Sequence, residues 1–126
     1  MHISAKAVIM KKNKFLLQLR DNKKNIYAPN SWGFFGGKAE KNEKIETCIK
    51  REINEELSVK CVKAKKICET FYRKKVLLVF FKVKTIGKID SKKLTEGQGL
   101  GWFSKKEIKK IKKSWEVNFL FGTFNY

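Results

Sequence analysis

The amino-acid sequence predicts an α/β fold in which helices cover both faces of a mixed β-sheet. Strand-like runs stand before and after one amphipathic segment, residues 44–57, and a second helical segment comes near the end of the chain. With 126 residues, of which 42% are hydrophobic, the chain is large enough for one domain with an ordinary core. We therefore expect a single domain over residues 1–126.

Six strands are predicted from apolar runs bounded by polar or glycine-containing turns: residues 3–10, 15–20, 32–35, 59–72, 76–85 and 100–103. The first two are expected to form a hairpin, the fourth to contain a bulge, and the fifth to be central. Asn42 is the predicted N-cap of the first helix. The pattern Ser104-x-x-Glu107 is a capping box, which predicts a second helix to about Lys113.

The remaining segments are predicted to be irregular. A polar loop at residues 21–31 and a second loop at residues 87–99 are expected to set the specificity of any binding site, since long loops in compact domains are often functional. The aromatic-rich tail, residues 115–126, is expected to pack back onto the body of the protein.

The charge balance is strongly basic. The net charge is +18, with 30 lysines and arginines against 12 acidic residues, and such a field favours anionic partners from nucleotides to RNA. The lysines are scattered along the whole chain and few arginines are available for bidentate recognition, so a general lysine bias is the explanation we prefer.

The cysteines and the hydropathy pattern bear on the compartment. The three cysteines have no paired ligand spacing, which indicates a reducing compartment and inert thiols. No apolar run approaches the length that a bilayer requires. We expect a cytoplasmic protein without a membrane partner; the sequence does not indicate its oligomeric state.

An acidic cluster contrasts with this basic chain. Residues 40–56 contain six of the twelve acidic residues and only four basic ones. Crowded carboxylates repel each other, and a hard divalent cation such as Mg²⁺ would offset that repulsion. In a helix over residues 44–57, Glu52, Glu55 and Glu56 share one face within one turn. The alternative is a solvated glutamate face on which Arg51 pairs with its neighbours.

The spacing of this cluster resembles the Nudix signature. Gly37 leads, Glu43 follows at the matching offset, and residues 51–59 (Arg-Glu-Ile-Asn-Glu-Glu-Leu-Ser-Val) close the pattern. Ser58 stands where the family has glycine. That glycine serves to end the helix and does not bind the metal, so serine at this position removes no metal ligand. The resemblance implies an α/β/α sandwich around a mixed sheet, and metal-dependent hydrolysis of nucleoside diphosphates linked to another moiety.

The resemblance also implies roles for individual residues. The metal, Mg²⁺ or alternatively Mn²⁺, would be bound by three carboxylates and one main-chain carbonyl: Glu52, Glu55, Glu56 and Gly36. Glu52 would be a ligand or the general base, because its role differs among relatives. Glu43 and Arg51 would form a buried pair that holds the loop against the helix, which gives Arg51 a supporting role in catalysis.

Three further residues are candidates outside the acidic cluster. Glu96 precedes the strand at 100–103, a region from which relatives often bring one more acid to the metal or the water. Lys38 and Arg20 would contact substrate phosphates. For each of the three, an ordinary solvated side chain is the alternative interpretation.

The function that the resemblance favours is hydrolysis of a nucleoside triphosphate, an oxidised one such as 8-oxo-dGTP included, to the monophosphate and pyrophosphate. Hydrolysis of nucleotide sugars, dinucleoside polyphosphates or 5′-triphosphate RNA ends is the first alternative. The second is a non-catalytic module that binds nucleotides or RNA on the same scaffold. The partner is therefore expected to be a small nucleotide, with RNA ranked behind it.

Overall fold

The computed structural model describes residues 2–89 and 98–126. The chain forms two compact units: unit 1 consists of Met1–Ile9 and Phe35–Thr95, and unit 2 of Met10–Phe34 and Glu96–Tyr126. The strands in chain order are β1 (His2–Val8), β2 (Met10–Lys11), β3 (Lys14–Leu19), β4 (Trp32–Gly33), β5 (Phe35–Lys38), β6 (Lys60–Tyr72), β7 (Val76–Ile86) and β8 (Gly99–Phe103). The helices are α1 (Ile45–Leu57), α2 (Lys105–Ile108) and α3 (Trp115–Asn118), followed by a π-helical turn, Phe119–Thr123.

Unit 1 contains a four-stranded sheet in the order β5-β1-β7-β6. The pairing of β1 with β7 is parallel, and the other two pairings are antiparallel. The sheet is therefore mixed, as the sequence predicts, and the predicted α/β class is confirmed. β7 has a neighbour on each side, and β6 carries two bulges, so the central strand and the bulged strand are also as predicted.

Helix α1 packs on this sheet through one apolar face. Cys48, Ile49, Ile53 and Leu57 are buried at helical spacing, and the helix contacts β1, β5 and β6. Burial of this stripe, rather than helix propensity alone, accounts for the stability of a helix of 13 residues.

The predicted N-cap of α1 is wrong. Lys44 holds the N-cap position, and Asn42 has φ 65° in the preceding turn. Two hydrogen bonds between Glu40 and Glu43 close that turn: the Glu43 N–H donates to the Glu40 carbonyl at 3.0 Å, and the Glu40 N–H donates to Glu43 Oε1 at 3.0 Å. Because the turn uses these groups, the helix begins after it.

Two of the predicted strand assignments are also wrong. β1 pairs with β5 and β7, and only the two-residue β2 forms a hairpin with β3. The predicted strand 32–35 is two strands, β4 in unit 2 and β5 in unit 1. A local apolar pattern identifies a strand, but it does not reveal which distant strand becomes its neighbour.

Unit 2 is built around β3, which pairs antiparallel with β2, β4 and β8. Helix α2 begins with the predicted capping box, in which Ser104 Oγ accepts from the Glu107 N–H at 3.2 Å. It ends at Ile108, well before the predicted Lys113. The reason is that the main chain of residues 112–114 pairs with Trp32: its N–H donates to the Lys112 carbonyl, and its carbonyl accepts from the Ser114 N–H, both at 2.9 Å.

The aromatic tail packs within unit 2, as the sequence predicts. Phe121 makes an edge contact with Phe15 at 4.9 Å between ring centroids, and Tyr126 lies 6.3 Å from the same ring. Phe34 also contacts Phe121, at 6.0 Å. In the described ranges, no helix has the length and apolar character that crossing a membrane demands.

The C-terminus of α1 generates a stability prediction. Ser58 has φ 55° and ψ 35°, and its N–H donates to the Asn54 carbonyl at 3.0 Å. This left-handed conformation costs a residue with a Cβ atom about 1 kcal/mol, a cost that glycine avoids. We expect Ser58→Gly to raise the melting temperature by about 3 °C, measured by circular dichroism. Ser58→Ala keeps the Cβ atom and should give no gain; an equal gain in both variants would contradict the explanation.

Candidate active site

One face of α1 carries the three carboxylates that the sequence identifies. Glu52, Glu55 and Glu56 lie at positions i, i+3 and i+4, within one turn of the helix. Their environments differ, since the side chain of Glu52 is 16% exposed and that of Glu55 is 56% exposed, whereas Glu56 is 3% exposed. The cluster therefore extends from the interior of unit 1 to its surface.

Arg51 connects this face to the loop that precedes the helix. Its Nε donates to Glu43 Oε2 at 2.8 Å and its Nη2 donates to Glu43 Oε1 at 2.9 Å, which is a bidentate pair. Its Nη1 donates to Glu52 Oε1 at 3.0 Å and to Glu55 Oε2 at 3.2 Å. One guanidinium thus donates hydrogen bonds to three carboxylates, lies 3.7 Å from a fourth, that of Glu40, and fixes the loop against the helix.

The electrostatics of the pair keep both groups charged. The hydrogen bonds from Arg51 lower the pKa of Glu43 from 4.5 to about 2, and the Glu40 N–H acts in the same direction. In return, Glu43 raises the pKa of Arg51. The pair is partly withdrawn from water, because the side chain of Glu43 is 11% exposed and that of Arg51 is 24% exposed.

The two glycines before the helix allow the backbone to approach the sheet and the carboxylates. Gly36 has φ 151°, and a Cβ atom there would lie 1.9 Å from the Ala5 carbonyl oxygen. A Cβ atom on Gly37 would lie 2.4 Å from the Glu52 carboxylate. The Gly36 N–H donates to Glu56 Oε1 at 3.2 Å. Both positions therefore require glycine, and the chain there holds Glu56 by a main-chain donor.

Burial gives Glu52 the character of a stronger base. Desolvation raises the pKa of Glu52, and the hydrogen bonds from Arg51 and with Glu56 only partly oppose that rise. A carboxylate with a raised pKa accepts a proton more readily near neutral pH than an exposed one. This property suits one of the two roles that the sequence leaves open for Glu52, that of general base.

The donor atoms of this cluster fit a hard divalent cation. Carboxylate oxygens are the ligands that hard divalent cations such as Mg²⁺ prefer. The neighbouring Cys48 thiol does not compete, because burial raises its pKa to about 11 and keeps it protonated. Throughout residues 2–89 and 98–126, no group of three or more acidic, cysteine or histidine side chains is arranged to hold a metal ion. Arg51 instead donates hydrogen bonds to Glu52 and Glu55. The three carboxylates therefore do not point to one common ion position, contrary to what the helix register had led us to expect.

The three candidate residues outside the acidic cluster are Lys38, Arg20 and Glu96. Lys38 is exposed at the end of β5, and its carbonyl accepts from Arg51 Nη2 at 3.4 Å. Arg20 belongs to unit 2, where its Nε donates to the Tyr27 carbonyl at 2.7 Å and its guanidinium lies 5.4 Å from the centre of the Tyr27 ring. Glu96 lies outside the described residues.

Sequence reasoning missed a buried carboxylate in unit 2. Glu116 is 1% exposed; its Oε1 accepts from the Tyr27 hydroxyl at 2.9 Å, and its Oε2 accepts from the Phe34 N–H at 3.1 Å. Burial and the Glu116 charge together raise the pKa of Tyr27. Glu116 thereby holds the loop at residues 21–31 to α3. A lone glutamate in an aromatic tail has no motif around it, so no signal in the sequence identified it.

Comparison with known proteins finds relatives of this chain. A family model described as "NUDIX domain" matches residues 1–121. The chain is 34% identical over 104 residues to the 8-oxo-dGTP diphosphatase of Buchnera aphidicola subsp. Schizaphis graminum, an alignment that covers 81% of this chain and 76% of that protein.

Solved structures share the fold at lower identity. A structure from work on MutT of Aliivibrio salmonicida and Vibrio cholerae matches with a TM-score of 0.79 and 19% identity, covering 98% of this chain and 95% of that one. A MutT NUDIX hydrolase from Burkholderia pseudomallei matches with a TM-score of 0.69 and 23% identity, covering 84% of each chain. At these identities the likeness supports the fold alone.

The Glu43–Arg51 pair generates a prediction about acid stability. Because its folded-state pKa is depressed, Glu43 stabilises the protein fully above about pH 4.5, and this contribution is lost as the pH falls towards 2. Glu43→Gln should lower the melting temperature at pH 7 by about 5 °C. It should also make the decline between pH 4.5 and pH 2 shallower. Glu46→Gln removes an exposed glutamate of the same helix and should follow the wild-type curve. A parallel loss at every pH in Glu43→Gln would rule out the linkage.

The Tyr27–Glu116 hydrogen bond generates a prediction about loop order. Tyr27→Phe removes a donor to a buried carboxylate, which costs about 1–3 kcal/mol of local stability. We expect trypsin to cleave faster after Lys23 and Lys24, which lie in the same loop. The cleavage rate is measured by mass spectrometry of the fragments. Tyr72→Phe, a hydroxyl deletion in unit 1, is the control. Unchanged cleavage of the loop in Tyr27→Phe would show that this hydrogen bond does not order it.

Proposed function

The chain belongs to the Nudix family, and from that premise we propose that it hydrolyses nucleoside triphosphates to the monophosphate and pyrophosphate, with an oxidised purine triphosphate such as 8-oxo-dGTP as a substrate. It is a Nudix-type pyrophosphohydrolase. The relative from Buchnera, whose name states that substrate, supports the narrower proposal.

The observation that supports a catalytic function, rather than binding alone, is the complete set of carboxylates on α1. Glu52, Glu55 and Glu56 are all present, and Arg51 holds Glu43 and Glu52 by direct hydrogen bonds. A module that only binds nucleotides has no need for three carboxylates in a region where they repel a phosphate. We therefore prefer an enzyme to the non-catalytic alternative.

Nudix hydrolases use divalent metal ions, and we propose Mg²⁺ here, with Mn²⁺ as a substitute. Its ligands would be Glu55, Glu56, the Gly36 carbonyl and, in one of its two possible roles, Glu52. When bound, the cation would neutralise phosphate charge and lower the pKa of a water molecule. Glu56 is suited to this role because burial and the Gly36 N–H fix its orientation.

The residues of the chain would supply the proton transfer and the positioning. In the proposed reaction, a water oxygen forms a bond to one phosphorus of the diphosphate linkage, the bond between that phosphorus and the bridging oxygen breaks, and the monophosphate and pyrophosphate separate. Glu52 would accept the proton of the water, since burial raises its pKa. Arg51 would act as a positioning residue through its hydrogen bond to Glu52. Lys38 is a proposed phosphate contact, and the assignments of Arg20 and Glu96 stay predictions.

The direct test is an activity screen of the purified protein. We would measure release of pyrophosphate and of the nucleoside monophosphate from the four dNTPs, 8-oxo-dGTP, a nucleotide sugar and a dinucleoside polyphosphate, with Mg²⁺ or with excess EDTA. We expect hydrolysis of a nucleoside triphosphate that chelation abolishes. Preference for a nucleotide sugar would contradict the proposed substrate, and full activity in EDTA would contradict the metal.

The mutational prediction concerns Glu56. Glu56→Gln keeps an acceptor for the Gly36 N–H but removes one of the crowded negative charges. We expect kcat to fall by about 10²- to 10³-fold, the size of effect seen for one electrostatic group in other active sites. The melting temperature of the metal-free protein should stay the same or rise. Glu46→Gln on the exposed first turn of α1 should keep wild-type turnover. Wild-type turnover in Glu56→Gln would place the catalytic site elsewhere.

A further inference from the structure

The guanidinium of Arg51 has acceptors for all of its N–H groups. Nε and Nη2 donate to Glu43 at 2.8 and 2.9 Å, and Nη2 also donates to the Lys38 carbonyl at 3.4 Å. Nη1 donates to Glu52 at 3.0 Å and to Glu55 at 3.2 Å. A guanidinium has one N–H on Nε and two on each Nη atom, so these contacts engage all five donors.

The proposed metal needs oxygen atoms that Arg51 already holds. Glu55 is one of its proposed ligands, and the two carboxylate oxygens of Glu55 lie 3.2 and 3.4 Å from Arg51 Nη1. A cation bound by Glu55 would repel the guanidinium, because the two charges have the same sign. The hydrogen bond from Nη1 to Glu55 therefore has to break when the metal binds. This leaves one donor without an acceptor on a side chain that is only 24% exposed, which is unfavourable.

Glu40 is placed to accept from that donor. Its Oε1 lies 3.7 Å from Arg51 Nη1, which is ion-pair distance but longer than a hydrogen bond. The side chain of Glu40 is 70% exposed and can move, whereas its main chain is fixed by two hydrogen bonds with Glu43. In the part of the chain that the structure describes, the other carboxylates that pair with Nη1 are those of Glu52 and Glu55. Once Glu55 binds the metal, Glu40 is the acceptor that remains.

We propose that Glu40 is a positioning residue of the metal site, and that Arg51 Nη1 moves from Glu55 to Glu40 when the metal binds to Glu55. The two hydrogen bonds to Glu43 hold the guanidinium in place, so Nη1 alone changes its partner. The inference rests on the metal of the proposed function. It gives a role to a position between Gly37 and Glu43 where the signature described above specifies no residue.

The experiment measures binding of Mn²⁺ to the whole chain through the electron paramagnetic resonance signal of the free ion, so the readout does not depend on hydrolysis. Glu40→Gln keeps the length of the side chain and removes its charge. It should bind Mn²⁺ about two- to fivefold more weakly than the wild type, the range expected for one exposed ion pair. Its melting temperature should not change, since the main-chain hydrogen bonds of the turn remain.

A double-mutant cycle separates the exchange from a direct effect of charge. In Glu55→Gln, the metal and Arg51 no longer compete for a charged oxygen at residue 55. Adding Glu40→Gln to this variant should therefore change its Mn²⁺ affinity by less than about 1.5-fold. Glu46→Gln removes an exposed glutamate from the first turn of the same helix and should bind Mn²⁺ like the wild type.

The exchange also has a spectroscopic signature. The chain contains only three arginines, Arg20, Arg51 and Arg73, so their guanidinium signals can be separated in ¹⁵N-labelled protein. Mg²⁺ should shift the Nη signals of Arg51 more than its Nε signal, because Nε stays bound to Glu43. A shift at Nε as large as that at Nη would contradict the exchange of a single nitrogen atom.

The binding data decide between the remaining outcomes. Equal Mn²⁺ affinity in the wild type and Glu40→Gln would overturn the proposal. An equal loss in Glu46→Gln, or the same loss in the Glu55→Gln background, would overturn it too, because general charge would then be the cause. A wild-type protein that binds no Mn²⁺ would contradict both this inference and the proposed metal. Binding in the expected pattern without hydrolysis of any nucleoside triphosphate would contradict the proposed reaction alone.

Discussion

The bidentate hydrogen bond between Arg51 and Glu43 is the interaction on which the candidate active site depends. It joins the loop after β5 to the helix that carries the carboxylates, across a separation of eight residues. The same guanidinium contacts Glu52 and Glu55, so it offsets the repulsion that a cluster of glutamates creates. Loss of Arg51 would remove both the hydrogen-bonded link between loop and helix and the compensating charge.

The contacts of Arg51 bear on both interpretations of the acidic helix that the sequence leaves open. Arg51 does pair with its neighbour Glu55 one turn along, as on an ordinary solvated helix face. It also donates a hydrogen bond to Glu52, which is half-buried and whose pKa is raised by desolvation. The surface part of the cluster is thus a common ion pair, whereas half-buried Glu52 and buried Glu56 have the kind of environment that is frequent at functional sites.

The carboxylate face of unit 1 differs in sign from the rest of the chain. It would need a cation to receive phosphates, although the chain carries a net charge of +18. The expectation of one domain over residues 1–126 stays a prediction; the described residues form the two units set out above.

The sequence by itself determined which carboxylates share one face of α1, because helical spacing fixes this: the positions of Glu52, Glu55 and Glu56 follow from their register alone. It also predicted the capping box at Ser104 and most strand positions, which depend on neighbouring residues. Only the tertiary structure decided the partners of β1, the early end of α2 and the burial of Glu116. Each of these depends on contacts between segments far apart in the chain, such as the pairing of Trp32 with residues 112–114, and no local pattern encodes such contacts.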